Sequence, residues 1–137
     1  MDDIETMLSE VDTGYSLRRS EFAFEQIADV FYDGAAIGYV EINETADEIF
    51  EDDLSAFRDM IGEPKTDVER NVLEMLDKAN YMIAVEALWE GAESENTLAK
   101  FDPLWAWLFE THSGILQADN EGFYDAKGLI LERKFML

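Results

Sequence analysis

Apolar positions recur along this chain with two spacings, and the spacing decides the element expected. Ile4, Met7 and Leu8 share one side of Asp2–Glu10, a short amphipathic turn broken by Asp12-Thr13-Gly14. Phe24, Ile27, Ala28 and Phe31 fall at i, i+3, i+4 and i+7, which predicts a helix from the N-cap Ser20 to about Tyr32. Gly34 is placed to end it. A strand is the alternative over Glu21–Gln26, where Phe22 and Phe24 alternate with polar neighbours. Ala36–Ile42 is β-branched and aromatic and predicts a strand, with Gly38 marking a bulge or a close contact.

Phe50, Leu54, Phe57 and Ile61 return to helical spacing, so Asp47–Ile61 is expected as a helix stopped by Gly62-Glu63-Pro64. Thr66-Asp67-Val68-Glu69 then has the form of a capping box. In that motif the threonine hydroxyl accepts from the amide three residues on, and the glutamate reaches back to the threonine amide. Val68, Val72, Met75, Leu76 and Ala79 form the inner face of the helix it opens.

Tyr81–Trp89 is apolar on both faces apart from Glu86, the pattern of a central strand. Asp102 as cap and Pro103 at the first position start a helix through the aromatic block Leu104–Phe109, and Ser113-Gly114 stops it. Ile115–Ala118 and Phe123-Tyr124 are extended, separated by turns at Asp119–Gly122 and Asp125–Gly128. Leu129–Met136 closes the chain as a strand or short helix. The order α, β, αα, β, α, β, β with long helical connections predicts an α+β fold. The expected form is a two-layer sandwich, loosely ferredoxin-like, with a mixed or antiparallel sheet and helices on one face.

Length and composition bound this picture without changing it. A chain of 137 residues with 47% hydrophobic residues and nine phenylalanines has the material for one domain, taken as residues 1–137. There is no cysteine, which excludes disulfides, thiolate nucleophiles and cysteine-ligated zinc. The acidic N-terminus lacks the basic and apolar regions of a signal peptide, and no apolar run approaches the roughly 20 residues that span a bilayer. A soluble cytoplasmic protein is the expectation.

Charge alters the picture more. Thirty-two acids against ten bases give a formal net charge of −22. Such a field repels nucleic acid, anionic membranes and anionic substrates, and favours cations or a basic protein partner. Solubility and adaptation of a whole proteome to salt explain the same number without any site. The densest cluster is Asp47, Glu48, Glu51, Asp52 and Asp53, on a segment Glu41–Glu69 with eleven acids and two bases, a local net charge of −9. It is either a patch complementary to a basic partner or a solvated helix face.

Catalytic and metal chemistry find little support. His112, the single histidine, lies near a helix C-terminus, where the dipole favours a cation, and has no glutamate or histidine at i±4. No G-x-S-x-G, no G-x-G-x-x-G and no P-loop is present. Gln117–Gly128 departs from a calcium loop at its first and twelfth positions and reads as a hairpin. No cofactor and no metal are expected.

Two functional readings from different classes remain. The first is a non-enzymatic interaction protein, of inhibitor, immunity or nucleic-acid-mimic type, binding a basic partner through the acidic cluster. Trp107 serves as a second anchor, because about 200° of helix separates it from Trp105 and the two cannot face one sheet. The Trp107 face also allows a homodimer. The second reading is a small-molecule-binding or enzymatic domain, with Tyr81, Trp89 and Trp105 lining a pocket and Glu86 as its polar group, its ionisation disfavoured by burial.

Overall fold

A computed structural model describes residues 1–21, 26–45, 47–87, 99–119 and 121–133. They form a mixed α+β fold in which the strands are divided between two antiparallel sheets, of four and three strands. The elements in order are α1 (Asp2–Val11), β1 (Tyr15–Arg19), β2 (Ile27–Tyr32), β3 (Ala35–Glu44), α2 (Glu48–Ile61), α3 (Asp67–Asp77), β4 (Tyr81–Ala87), α4 (Asp102–Thr111), β5 (Leu116–Ala118), β6 (Gly122–Asp125) and β7 (Gly128–Glu132). The chain divides into two compact units, Met1–Asn43 with Met82–Trp107, and Glu44–Tyr81 with Leu108–Leu137.

The first unit is built on the sheet ordered β1-β2-β3-β4. α1 buries Ile4, Met7 and Leu8, the side expected from their spacing, and ends where the Asp12 carboxylate accepts the Gly14 amide at 2.8 Å. The helix expected to run from Ser20 to Tyr32 is not formed over its second half: Ile27–Tyr32 is a strand paired on both sides. Ala28 and Val30 are buried and Asp29 between them is exposed, a period of two that the apolar neighbours Ile27 and Phe31 had masked. The turn settles the matter. Asp33 and Gly34 both have positive φ (50° and 82°) and join Tyr32 to Ala35 as a two-residue hairpin, so Gly34 ends a strand and not a helix. The strand alternative at Phe22 and Phe24 lies outside the described residues.

β3 extends from Ala35 to Glu44, and both expectations for Gly38 hold. The β2–β3 register shifts next to it, with Val30 opposite Gly38 and Phe31 opposite Ala36. A Cβ on Gly38 would also run into the Glu86 carbonyl oxygen and lie 3.0 Å from Phe101 Cζ. β4 is the last strand in the order of the described strands, not the central one expected, and most of its residues are only half-buried. An apolar strand is thus compatible with an edge. Phe101 and Leu104 are fully buried at the start of α4, and the Phe101 carbonyl accepts the Leu104 amide at 3.0 Å, so Asp102 sits in the first turn rather than capping from outside it.

A tyrosine cluster ties the loops of this unit. Tyr15 meets Tyr32 edge-on at 5.0 Å and donates its hydroxyl to the Lys100 carbonyl at 2.6 Å. The Lys100 ammonium lies 3.8 Å from the Tyr32 ring centroid, and Tyr32 donates to Asp12 at 2.6 Å. That last bond is the main cause of a Tyr32 pKa pushed up to about 12.

In the second unit α2 buries Phe50, Leu54 and Ile61, and Phe57 packs edge-on against the buried Phe123 of β6. The capping box of α3 is present in both halves, with Val72 and Leu76 on its inner face and Val68 outward. β5, β6 and β7 form a meander with the turns expected, and Gly122 and Gly128 take positive φ at the ends of β6 and β7. Among the described residues no helix is long and apolar enough to cross a membrane.

Candidate partner-binding surface

The acidic cluster is set by the way α2 begins. Asp47 is its N-cap in extended conformation, and its carboxylate reaches back to accept the Glu44 amide at 3.0 Å. Helical geometry of about 100° per residue does the rest. With Phe50, Leu54, Phe57 and Ile61 inward, Glu48 and Asp52 are carried to the opposite side and Glu51 to one flank, and all three are exposed. Ile49 stands beside Asp52 and Asp53, on the flank away from Glu51, with 52% of its surface exposed.

Asp53 lies on the border between the two faces and is half-buried. Burial raises its carboxyl pKa, and the neighbouring carboxylates of Asp52 and Asp119 push it the same way. It ionises less readily than an ordinary aspartate because it is partly desolvated and faces like charge.

The arginines of the chain are engaged elsewhere. Arg18 pairs with Asp29, Arg19 with Asp2 and Glu5, Arg58 with Asp77, Arg70 with Asp67 and Arg133 with Glu69. These are all five arginines of the sequence. None of them pairs with Glu48, Glu51, Asp52 or Asp53 among the described residues, so the outward face of α2 keeps its charge uncompensated. Asp47 is the member of the cluster with a clear structural task.

The other predicted site residues are more dispersed. Glu86 is exposed, so the burial expected to disfavour its ionisation is absent. It accepts a hydrogen bond from the Tyr39 hydroxyl on the neighbouring strand, and this bond is the chief reason the Tyr39 pKa is raised. Tyr81 and Glu86 are five apart on β4, and the strand period of two sends them to opposite faces. Tyr81 is exposed and meets the His112 ring edge-on at 6.0 Å. Trp105 is half-buried, and Trp89 lies outside the described residues. Tyr81 and Glu86 therefore do not converge on one pocket.

Trp107 is also half-buried and makes contacts of its own, so it is not an open anchor standing clear of the surface. His112 follows the last residue of α4, donates its amide to the Leu108 carbonyl at 2.9 Å and holds Nδ1 2.7 Å from the Thr111 hydroxyl. That is the helix-end position its sequence context predicted. Among the described residues no group of three or more histidine, aspartate or glutamate side chains is arranged to hold a metal ion.

Sequence reasoning missed the main buried ion pair. Glu69 was read as the back half of a capping box, which it is, accepting the Lys65 and Thr66 amides at 3.0 Å. Its second oxygen also accepts from Arg133 at 2.7 Å, while Arg133 donates through Nε to the Met60 carbonyl at 3.0 Å. One arginine thus joins the last turn of α2, the first turn of α3 and the end of β7. Sixty-four residues separate the partners, and no local pattern announces the contact.

Set against protein-family models, characterised protein sequences and solved structures, the chain matches none of the three. The functional reading rests on its own residues.

Proposed function

We propose that this chain is a cytoplasmic, non-enzymatic interaction protein that binds a basic protein partner through the outward face of α2, in the manner of an inhibitor, an immunity protein or a nucleic-acid mimic. One observation carries the reading. All five arginines pair with other acids, and Glu48, Glu51 and Asp52 stand exposed with no arginine partner among the described residues, the exposed Ile49 lying on the Asp52 side of the helix. Carboxylates so placed draw a basic partner in from a distance, and the exposed Ile49 beside Asp52 offers contact area once it arrives.

The test is affinity capture from extracts of the native host, with wild type and a Glu48→Gln/Glu51→Gln/Asp52→Asn variant as bait, at low and high salt. The expected result is a basic protein retained by wild type at about 50 mM salt, released at several hundred millimolar, and not retained by the variant. Equal retention by both baits, or retention indifferent to salt, refutes the proposal.

A further inference from the structure

The outer edge of β1 offers a second and more specific feature. β1 ends the four-stranded sheet among the described strands, and its register with β2 fixes which backbone groups point away from the sheet. The Asp33 amide donates to the Gly14 carbonyl and the Ser20 amide donates to the Ile27 carbonyl, at the two ends of the pairing. Hydrogen-bonded pairs in an antiparallel ladder recur at every second residue. Gly14, Ser16, Arg18 and Ser20 therefore face β2, and the N–H and C=O groups of Leu17 and Arg19 point outward, where no described strand lies.

A groove of about 450 Å³ runs along this edge, between β1 and α1. Its walls are Glu5, Thr6, Ser9 and Glu10 of α1, and Tyr15, Ser16 and Leu17 of β1. These α1 residues fall at i, i+1, i+4 and i+5, one stripe of the helix, opposite in part to the buried stripe of Ile4, Met7 and Leu8. The groove thus pairs a strand edge that has no partner among the described strands with a wall of hydroxyls and carboxylates. Of its two carboxylates, Glu5 pairs with Arg19, and Glu10 has no ion-pair partner among the described residues.

We propose that this groove takes an extended segment of a basic partner, added as a strand against β1, with a lysine or arginine reaching Glu10. Main-chain hydrogen bonds to Leu17 and Arg19 supply affinity, and alternate side chains of the guest enter the groove. The occupant is basic because the wall facing it is acidic and the chain carries −22. A second copy of this chain would bring that same charge and is disfavoured on the same ground. The edge of β7 is the contrasting case: its register shift around Ile130 breaks the ladder geometry that a guest strand needs. The inference rests on the reading of the chain as a binder of basic partners, and adds where a partner segment lies and in what conformation.

The test uses an isotope-labelled full-length chain and a synthetic decapeptide of alternating lysine and valine, with a lysine decamer as a non-strand control. The alternating peptide is expected to slow amide exchange at Leu17 and Arg19 at least several-fold, and the lysine decamer to leave those two amides unchanged. Leu17→Pro removes an outward amide at an edge position, where proline is tolerated, and is expected to weaken binding about tenfold or more. Glu10→Lys weakens it less. The triple α2 variant binds the peptide as wild type does. Should Leu17→Pro not fold, the exchange pattern and Glu10→Lys decide. Peptide effects confined to α2, or Leu17 and Arg19 amides left unprotected by bound peptide, overturn the proposal. So does their protection by self-association without peptide. Binding that moves only α2 and is lost in the triple variant overturns this inference and leaves the proposed function standing. Protection at Leu17 and Arg19, alongside native-host capture unaffected by the triple variant, has the reverse effect.

Discussion

Replacing Gly38 by alanine tests the close approach of β3 and β4. In an ordinary strand the change would help, because glycine loses more backbone entropy on folding and costs about 0.5–1 kcal/mol relative to alanine. Here the added Cβ would collide with the Glu86 carbonyl oxygen, lie 3.1 Å from the Ala87 Cα and 3.0 Å from Phe101 Cζ. Two of these three neighbours are backbone atoms and cannot rotate away, and Phe101 is only 2% exposed. Overpacking of a well-filled site costs about 1–3 kcal/mol, occasionally more. With a backbone oxygen as the nearest obstacle the upper end applies, so the collision outweighs the entropic gain and leaves a net loss of about 2–3 kcal/mol. Gly114 is the control. Nothing lies within 4 Å of its would-be Cβ and its φ is not left-handed, so Gly114→Ala should gain about 0.4–1 kcal/mol. Urea unfolding resolves the two. At an m-value of about 2 kcal/mol/M, Gly38→Ala moves the midpoint down by about 1 M or more and Gly114→Ala moves it slightly up. Amide exchange should accelerate in β3 and β4 of Gly38→Ala. A Gly38→Ala midpoint within about 0.2 M of wild type would refute the packing argument.

Two further predictions concern carboxylates with displaced ionisation. The Lys65 amide, with help from Thr66 and Arg133 and against the pull of burial, holds the Glu69 pKa below its ordinary value. A depressed folded pKa stabilises the fold at every pH above the ordinary glutamate range and loses that contribution as pH falls through the folded value. The urea midpoint of Glu69→Gln should therefore lie below wild type by a constant amount from about pH 8 to 5, with the gap closing on acidification below about 4. A gap indifferent to pH would count against it. Asp53 has the opposite sign: burial, Asp52 and Asp119 raise its pKa, so its ionised form costs stability at neutral pH and the cost is relieved as pH falls through the raised value. Asp53→Asn should raise the midpoint at pH 7 and leave it unchanged near pH 3, and a lower midpoint at pH 7 would show that its charge is compensated.

Much of the α+β character was legible because local signals and burial agree. The box at Thr66 and Glu69, the apolar stripe of α2 and the turns around β6 each depend on residues a few positions apart, which a single sequence displays. The hairpin at Asp33-Gly34 was misread for a definite reason. Ile27, Ala28 and Phe31 satisfy helical spacing, while Ala28 and Val30 satisfy strand spacing, and glycine after such a run ends a helix or turns a hairpin equally well. The aspartate before Gly34 was the deciding signal, because Asp-Gly is the two-residue hairpin pair. β4 was placed centrally because its side chains are apolar, yet strand order depends on partners far away in sequence. The same limit hid Arg133. The acidic face of α2 was visible, since it needs only helical spacing, but the pairing that leaves it uncompensated depends on where five arginines go.

That pairing separates two kinds of acid within the cluster. Glu48 and Glu51 lie in the first turn of α2, where the helix dipole favours negative charge. Asp47 is accounted for by its bond to the Glu44 amide. Asp52 and Asp53 lie past the reach of that effect, which falls off within the first turn, and they gain no cap and no cation. Asp52 instead stands four residues from Glu48, a like-charge spacing that costs a few tenths of a kcal/mol on a helix. Asp53 is raised in pKa by burial and by two carboxylates. Solubility needs charge but not charge crowded where it resists ionising. Asp52 and Asp53, with Asp119 near them, therefore add to the case made by the exposed acids of α2. A cationic side chain seated there would offset the burial and like charge that raise the Asp53 pKa and favour its ionised form. Affinity should then rise with pH through the raised value, at higher pH than the same linkage to an exposed acid of ordinary pKa would show.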